Sequence, residues 1–150
     1  MKPMQALRGA LALLALGLAG CSTVAVDRLP DGVAKGYVEF RPIGDKVGRV
    51  LVEELTYGIR QRINPTALFG LPDYDLRVAA PPGLHIYNVR VVPKHERADG
   101  PSKAVTVAVH KGHVTHVTVR RTILSSNFTD AGRHTQFTMS VEVGAPVPLK

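Results

Sequence analysis

Three histidines, His110, His113 and His116, recur at intervals of three in the stretch VHKGHVTHV. Imidazoles bind zinc and copper well, and a zinc site takes three or four ligands, so this trio is the chain's best candidate for metal chemistry. No Cys, Asp or Glu lies in the stretch to complete or orient such a site, and an exposed hairpin that carries histidines is the competing and favoured reading. Asp73 and Asp75 form an Asp-x-Asp pair, but the longer oxygen-rich spacing of calcium loops is missing, so they read as turn formers ahead of a strand. Ser125-Ser126 has no Gly-x-Ser-x-Gly setting, and no phosphate-cradling glycine loop occurs. These residues support no catalytic constellation and call for no cofactor. The remaining reactive group is Cys21, the only cysteine in the sequence, which has no second thiol for a disulfide or a chelate.

What precedes Cys21 gives it a use. The chain opens MKPMQALRGALALLALGLAGCS, with Lys2 and Arg8 in a short cationic start and an uncharged apolar run over Ala10–Leu18. Ala19 and Gly20 then supply small side chains. This is the make-up of a secretory signal, and the run is too short to cross about 30 Å of hydrocarbon. Leu18-Ala19-Gly20-Cys21 resembles the lipobox of bacterial lipoproteins. That resemblance implies cleavage between Gly20 and Cys21, a diacylglycerol on the thiol and an acylated new amino terminus. Ser22, where an inner-membrane retention signal commonly has Asp, resembles the outer-membrane type. The expected location is therefore the cell envelope, lipid-anchored through Cys21 at the periplasmic face of the outer membrane.

Removal of residues 1–20 leaves 130 residues, enough for one domain with a core. The formal net charge of +7 falls to +5 when Lys2 and Arg8 leave with the leader. Behind a secretory signal that balance points away from nucleic acid and to anionic lipid, lipopolysaccharide or acidic cell-wall groups, or to nothing specific. Apart from Arg120-Arg121 and the trio Arg49, Arg60 and Arg62, the basic residues are scattered, and the favoured reading of them is a solvated surface. The chain has no tryptophan and aromatic residues make up 5%, which argues against a sugar-binding or single-strand platform.

The elements that must position these residues are mostly strands. Residues 22–35 mix polar, Pro and Gly residues without a sustained period and read as a tether. Tyr37–Phe40 reads as a first strand stopped by Pro42 and Gly44. Residues 47–63 carry both a fourfold and a twofold period; Gly48 and Gly58 weaken a helix, while Val50, Val52, Thr56 and Ile59 favour strands, the reading preferred here. Residues 64–73 form a loop, Asp75–Val78 a strand, 79–83 a turn, and Leu84–Val92 a strand with Tyr87, Val89 and Val91 on one face. His85 shares that face and is expected to cap the core edge by hydrogen bonding. After a polar loop over 93–103, Val105, Val107 and Val109 alternate with polar or small residues, as do Val117 and Val119. A three-residue loop at Lys111-Gly112-His113 would set Val107 opposite Val117 and Val105 opposite Val119 in a hairpin. Its outer face would then carry His110 and His116 on adjacent strands. Phe137, Met139, Val141 and Val143 share a face of a last strand, and 145–150 read as an irregular tail.

Short alternating strands between turn signals predict an all-β chain, a small antiparallel β-sandwich. Within it, LRVAAPPGLHIYNVRV and VTVAVHKGHVTHVTV resemble the PEGA-type and transthyretin-like sandwich domains of bacterial envelope proteins. Pro82, Gly83 and His85 carry the Pro-Gly-x-His turn, and Gly112 and Thr115 the hairpin tip. The Pro-Glu-Gly-Ala tetrapeptide is absent. The expected organisation is a signal peptide over 1–20, an acylated cysteine and tether over 21–35, the sandwich over 36–144 and the tail over 145–150. The leading function is a non-catalytic, lipid-anchored envelope protein whose sandwich contacts an envelope protein or peptidoglycan. One alternative is a metal-binding or hydrolytic periplasmic accessory protein using His110, His113 and His116. Another is a lipoprotein that docks a secretion machine at the outer membrane.

Overall fold

A computed structural model of the chain describes residues 23–65, 73–93, 100–129 and 132–150. Nine strands appear in it: β1 (Thr23–Val26), β2 (Gly36–Gly44), β3 (Arg49–Glu54), β4 (Gln61–Arg62), β5 (Asp75–Ala80), β6 (Gly83–Val92), β7 (Ser102–Val109), β8 (His113–Thr129) and β9 (Gly132–Pro148). A single 3-10 turn over Thr56–Gly58 interrupts them. The strands build two sheets, a five-stranded one in the order β1-β5-β2-β8-β9 and a four-stranded one in the order β4-β3-β6-β7. The chain is an all-β sandwich, with β1–β5 and β2–β8 parallel and every other pairing antiparallel.

The period-two pattern explains the layering, because it sends alternate side chains to opposite faces of a sheet. Val38 and Phe40 of β2, Leu76 and Val78 of β5, and Val117 and Val119 of β8 turn inward from the larger sheet. Val52, Tyr87, Val89, Val105, Val107 and Val109 meet them from the smaller one. At mid-core the Phe40 and Tyr87 rings, one from each sheet, pack edge to face with centroids 5.2 Å apart, an arrangement aromatic quadrupoles favour. Residues 49–62 are strand and 3-10 turn, so the β-branched residues there decide against a helix. Pro42 does not end β2, which runs on to Gly44. β5 pairs with β2 only as far as Phe40, so Pro42 sits where that side of the strand needs no amide donor.

Three expectations are corrected. Val107 and Val117 are not hairpin partners: β7 pairs with β6, whereas β8 pairs with β2 and β9. The chain changes sheets at Lys111-Gly112, where Gly112 has φ 70 and the His113 amide donates to the His110 carbonyl at 3.1 Å. Alternation specifies which side chains face inward, and two strands stacked face to face satisfy it as well as two paired in one sheet. Second, Thr23–Val26 is not tether. It forms β1, parallel to β5 from Thr23↔Asp75 to Val26↔Val78, with Val24 and Val26 packed on the core. Third, the end of the chain is not irregular: Pro146, Val147 and Pro148 pair with Thr115, Val114 and His113.

The second correction carries a prediction. A chain that begins at Val33 loses Val24 and Val26 and uncovers the edge of β5. At about 1–1.5 kcal/mol for each partly buried valine, urea unfolding should show it about 2–3 kcal/mol less stable than a chain that begins at Ser22. Equal stability would mean that β1 only rests against the sheet.

Candidate interaction surfaces and the charged clamps behind them

Cys21 and Gly20, the expected lipidation and cleavage positions, lie outside the described residues. Their neighbour Thr23 is described, at the start of β1. Among the described residues no helix is long and apolar enough to cross a membrane.

The histidine trio is not assembled. His110 and His113 rings lie 6.1 Å apart at the sheet-switching turn, and His113 Nδ1 lies 2.8 Å from the Lys111 carbonyl. His116 is on β8, in the other sheet from β7, with Nδ1 3.5 Å from Glu39 Oε1. Among the described residues no three His, Cys, Asp or Glu side chains stand close enough together to hold a metal. The Asp-x-Asp pair is likewise divided: Asp73 meets Arg121, and Asp75 lies 3.7 Å from Arg41. His85 does cap the core edge. It is buried, with Nε2 2.7 Å from the Pro81 carbonyl and Nδ1 2.9 Å from Glu54 Oε1.

Two charged assemblies were not anticipated. The first centres on Glu39, 1% exposed although it points away from the core. Arg41 Nε donates to Oε1 at 2.7 Å and Arg77 Nε to Oε2 at 2.7 Å, and His116 closes a third side. Three adjacent strands, β5, β2 and β8, thus share one carboxylate. Burial works against the Glu39 charge, but the two guanidinium hydrogen bonds outweigh it and hold the carboxyl below its ordinary value. Asp75, beside it, is pushed above its ordinary value by burial and by the Glu39 charge, against the pull of Arg41.

The signs of these shifts give opposite pH effects. A carboxyl whose folded pKa is depressed adds stability above its unfolded pKa and loses it as pH falls through the folded one; a raised pKa does the reverse. Glu39→Gln should therefore lower the melting temperature at neutral pH, with the loss fading in acid. Asp75→Asn should raise it at neutral pH, with the gain shrinking towards about pH 3. Melts of both variants across that range check the signs, and a neutral-pH loss in Asp75→Asn would show that its pairing with Arg41 dominates.

The second assembly is inside. Arg121 on β8 is 1% exposed, and its guanidinium donates from Nη1 to Asp73 Oδ1 at 3.0 Å and from Nη2 to Asp73 Oδ2 at 2.5 Å. Nη1 also donates to the Gly48 carbonyl at 3.0 Å. Gly48 has φ 72, and a Cβ there would lie 2.1 Å from the Val92 carbonyl oxygen, so only glycine lets the chain pass at this crossing from β2 to β3. A planar, fully charged fork can tie a strand to two loops at once, which lysine cannot. Nearby, the Ile123 amide donates to Asp45 Oδ2 at 2.7 Å and fixes the same loop. Asn64 plays a similar part at the smaller sheet. Its Oδ1 accepts from the Val52 amide at 2.7 Å, and its Nδ2 donates to the Tyr74 hydroxyl at 2.8 Å.

The outer face of the smaller sheet differs in character. Leu84 and Ile86 of β6 are 69% and 41% exposed, beside Ala108 and Thr106 of the edge strand β7. Further along the sheet, Arg60 and Arg90 make ion pairs to Glu53 at 3.1 and 3.4 Å.

No protein-family model matches the chain, and neither the curated proteins nor the solved structures offer a match.

Proposed function

We propose that this chain is a non-catalytic, lipid-anchored protein of the bacterial cell envelope that presents a β-sandwich to a protein or peptidoglycan partner. The single observation that carries this reading is Leu18-Ala19-Gly20-Cys21 at the end of a cationic and apolar leader, with the only thiol of the chain at the acylation position. The start of β1 at Thr23 supports it in a specific form. With only Ser22 between Cys21 and a strand docked on the core, the sandwich would sit directly on the membrane and not on a long tether. The Leu84–Ile86 strip supplies the surface for a protein partner. The PEGA-type resemblance and the outer-membrane, periplasmic placement belong to the same proposal.

Radiolabelled palmitate tests it. The wild-type chain should take up label and Cys21→Ser should take up none, since serine offers no thiol for diacylglycerol transfer. An unlabelled wild type would overturn the reading.

A further inference from the structure

We infer that the hairpin formed by the distal halves of β8 and β9 is a membrane-contacting arm, whose apolar face lies in the headgroup boundary of the bilayer that holds Cys21. This rests on the lipid-anchor reading above and names the bilayer as a second contact of the same protein.

Three observations place the arm. First, it extends from the end of the larger sheet where the anchor leaves. Thr23 pairs with Asp75, one residue before Leu76↔Phe40, and Arg41 pairs with Thr118, so Thr23 and Thr118 stand level along the sheet. From that level β8 continues in the same direction to Thr129, paired only with β9 beyond Arg121. At 3.2–3.4 Å per residue, Phe128 lies about 30 Å further on. Cys21, two residues before Thr23, can stand only about 7 Å from it. An arm that long at the anchored end has the reach to contact the bilayer.

Second, the arm exposes large apolar side chains among polar ones such as Thr122, Ser126 and Asn127. Leu124 and Phe128 are 63% and 84% exposed, and Ile123 is 38% exposed. Third, a β-bulge brings Ile123 and Phe128 to one face. Ile123 pairs with Phe137, yet Ser125 pairs with Gln136, so Leu124 is the extra residue on β8. Thr135, two residues from Phe137 on its face, pairs with Ser126, which puts Ser126 and then Phe128 on the face of Ile123. Without the bulge Phe128 would stand on the opposite face. An aromatic ring and an aliphatic side chain on one side of a two-stranded ribbon, with Leu124 exposed at the bulge between them, match the boundary between headgroups and acyl chains. Edge pairing of β9 with a second copy would use the backbone of that strand and would leave Phe128 in water.

The chain has no tryptophan, so Phe128→Trp and, as a control on the exposed edge strand, Thr106→Trp each place a single reporter in the acylated protein. Both are reconstituted in vesicles of phosphatidylethanolamine and phosphatidylglycerol, with circular dichroism to confirm the fold. Phe128→Trp should emit at shorter wavelength, be quenched by brominated acyl chains and be several-fold less sensitive to aqueous iodide than Thr106→Trp. Palmitate on Cys21 together with equal iodide quenching of the two variants would overturn the arm and leave the anchor standing. Absence of palmitate on Cys21 would overturn the anchor, and the arm's orientation with it.

Discussion

Asp73→Ala should destabilise the fold by about 3 kcal/mol or more, while Arg121→Met should cost only about 1–2 kcal/mol, although both remove the same ion pair. The asymmetry follows from burial. Arg121 is 1% exposed, whereas the Asp73 side chain retains 22% exposure. Removing the aspartate strands a guanidinium in the interior with the Gly48 carbonyl as its named remaining acceptor. Removing the arginine instead leaves a carboxylate that water can reach and a methionine that fills much of the same space. Urea unfolding of both variants, and of the double variant, gives the order directly. The double variant should resemble Arg121→Met, since no buried charge remains. The reverse order would mean that the packing of the arginine stem, and not the charge pair, joins β8 to its two loops.

That arginine shows where the sequence stops being legible. The parity of Val117, Val119 and Arg121 along β8 marks position 121 as inward, yet the Arg120-Arg121 doublet reads as solvated surface because an unpaired buried guanidinium is so costly. Its partner, Asp73, lies 48 residues away in a loop, and no local pattern announces the pair. Glu39 is hidden for a related reason. It occupies an outward position of Tyr37-Val38-Glu39-Phe40, and its burial comes from arginines on two strands and a histidine on a third. The core valines of β6, β7 and β8, by contrast, were legible, as was the role of His85, because each depends on its own strand's period and an adjacent turn. The β7–β8 register was not, since inward-facing alternation is silent on whether two strands are paired or stacked. The distal hairpin also escaped notice. TILSSNFT carries no sustained apolar alternation, and the bulge at Leu124 changes the parity halfway.

Cys21→Ser should move the protein from the membrane fraction to the soluble fraction nearly completely. Each buried methylene of an acyl chain contributes about 0.8 kcal/mol, one chain binds only marginally, and two or more make attachment stable. Neither the apolar strip at Leu84 and Ile86 nor the arm at Leu124 and Phe128 offers comparable area, so neither can replace the lipid. A residual, salt-sensitive association in the variant fits the net charge of +5 that remains when Lys2 and Arg8 leave with the leader. The fold of the variant should be unchanged, because the nearest strand begins at Thr23. Wild-type protein found in the soluble fraction would remove the reason for reading residues 1–21 as a leader and anchor.

The intact mass of the protein extracted from membranes tests that anchor most directly. The account predicts a chain that starts at Cys21, lacks residues 1–20 and carries the added mass of a diacylglyceryl group and an amide-linked acyl chain. A chain that retains residues 1–20, or one cleaved there with a free Cys21 thiol, would contradict it.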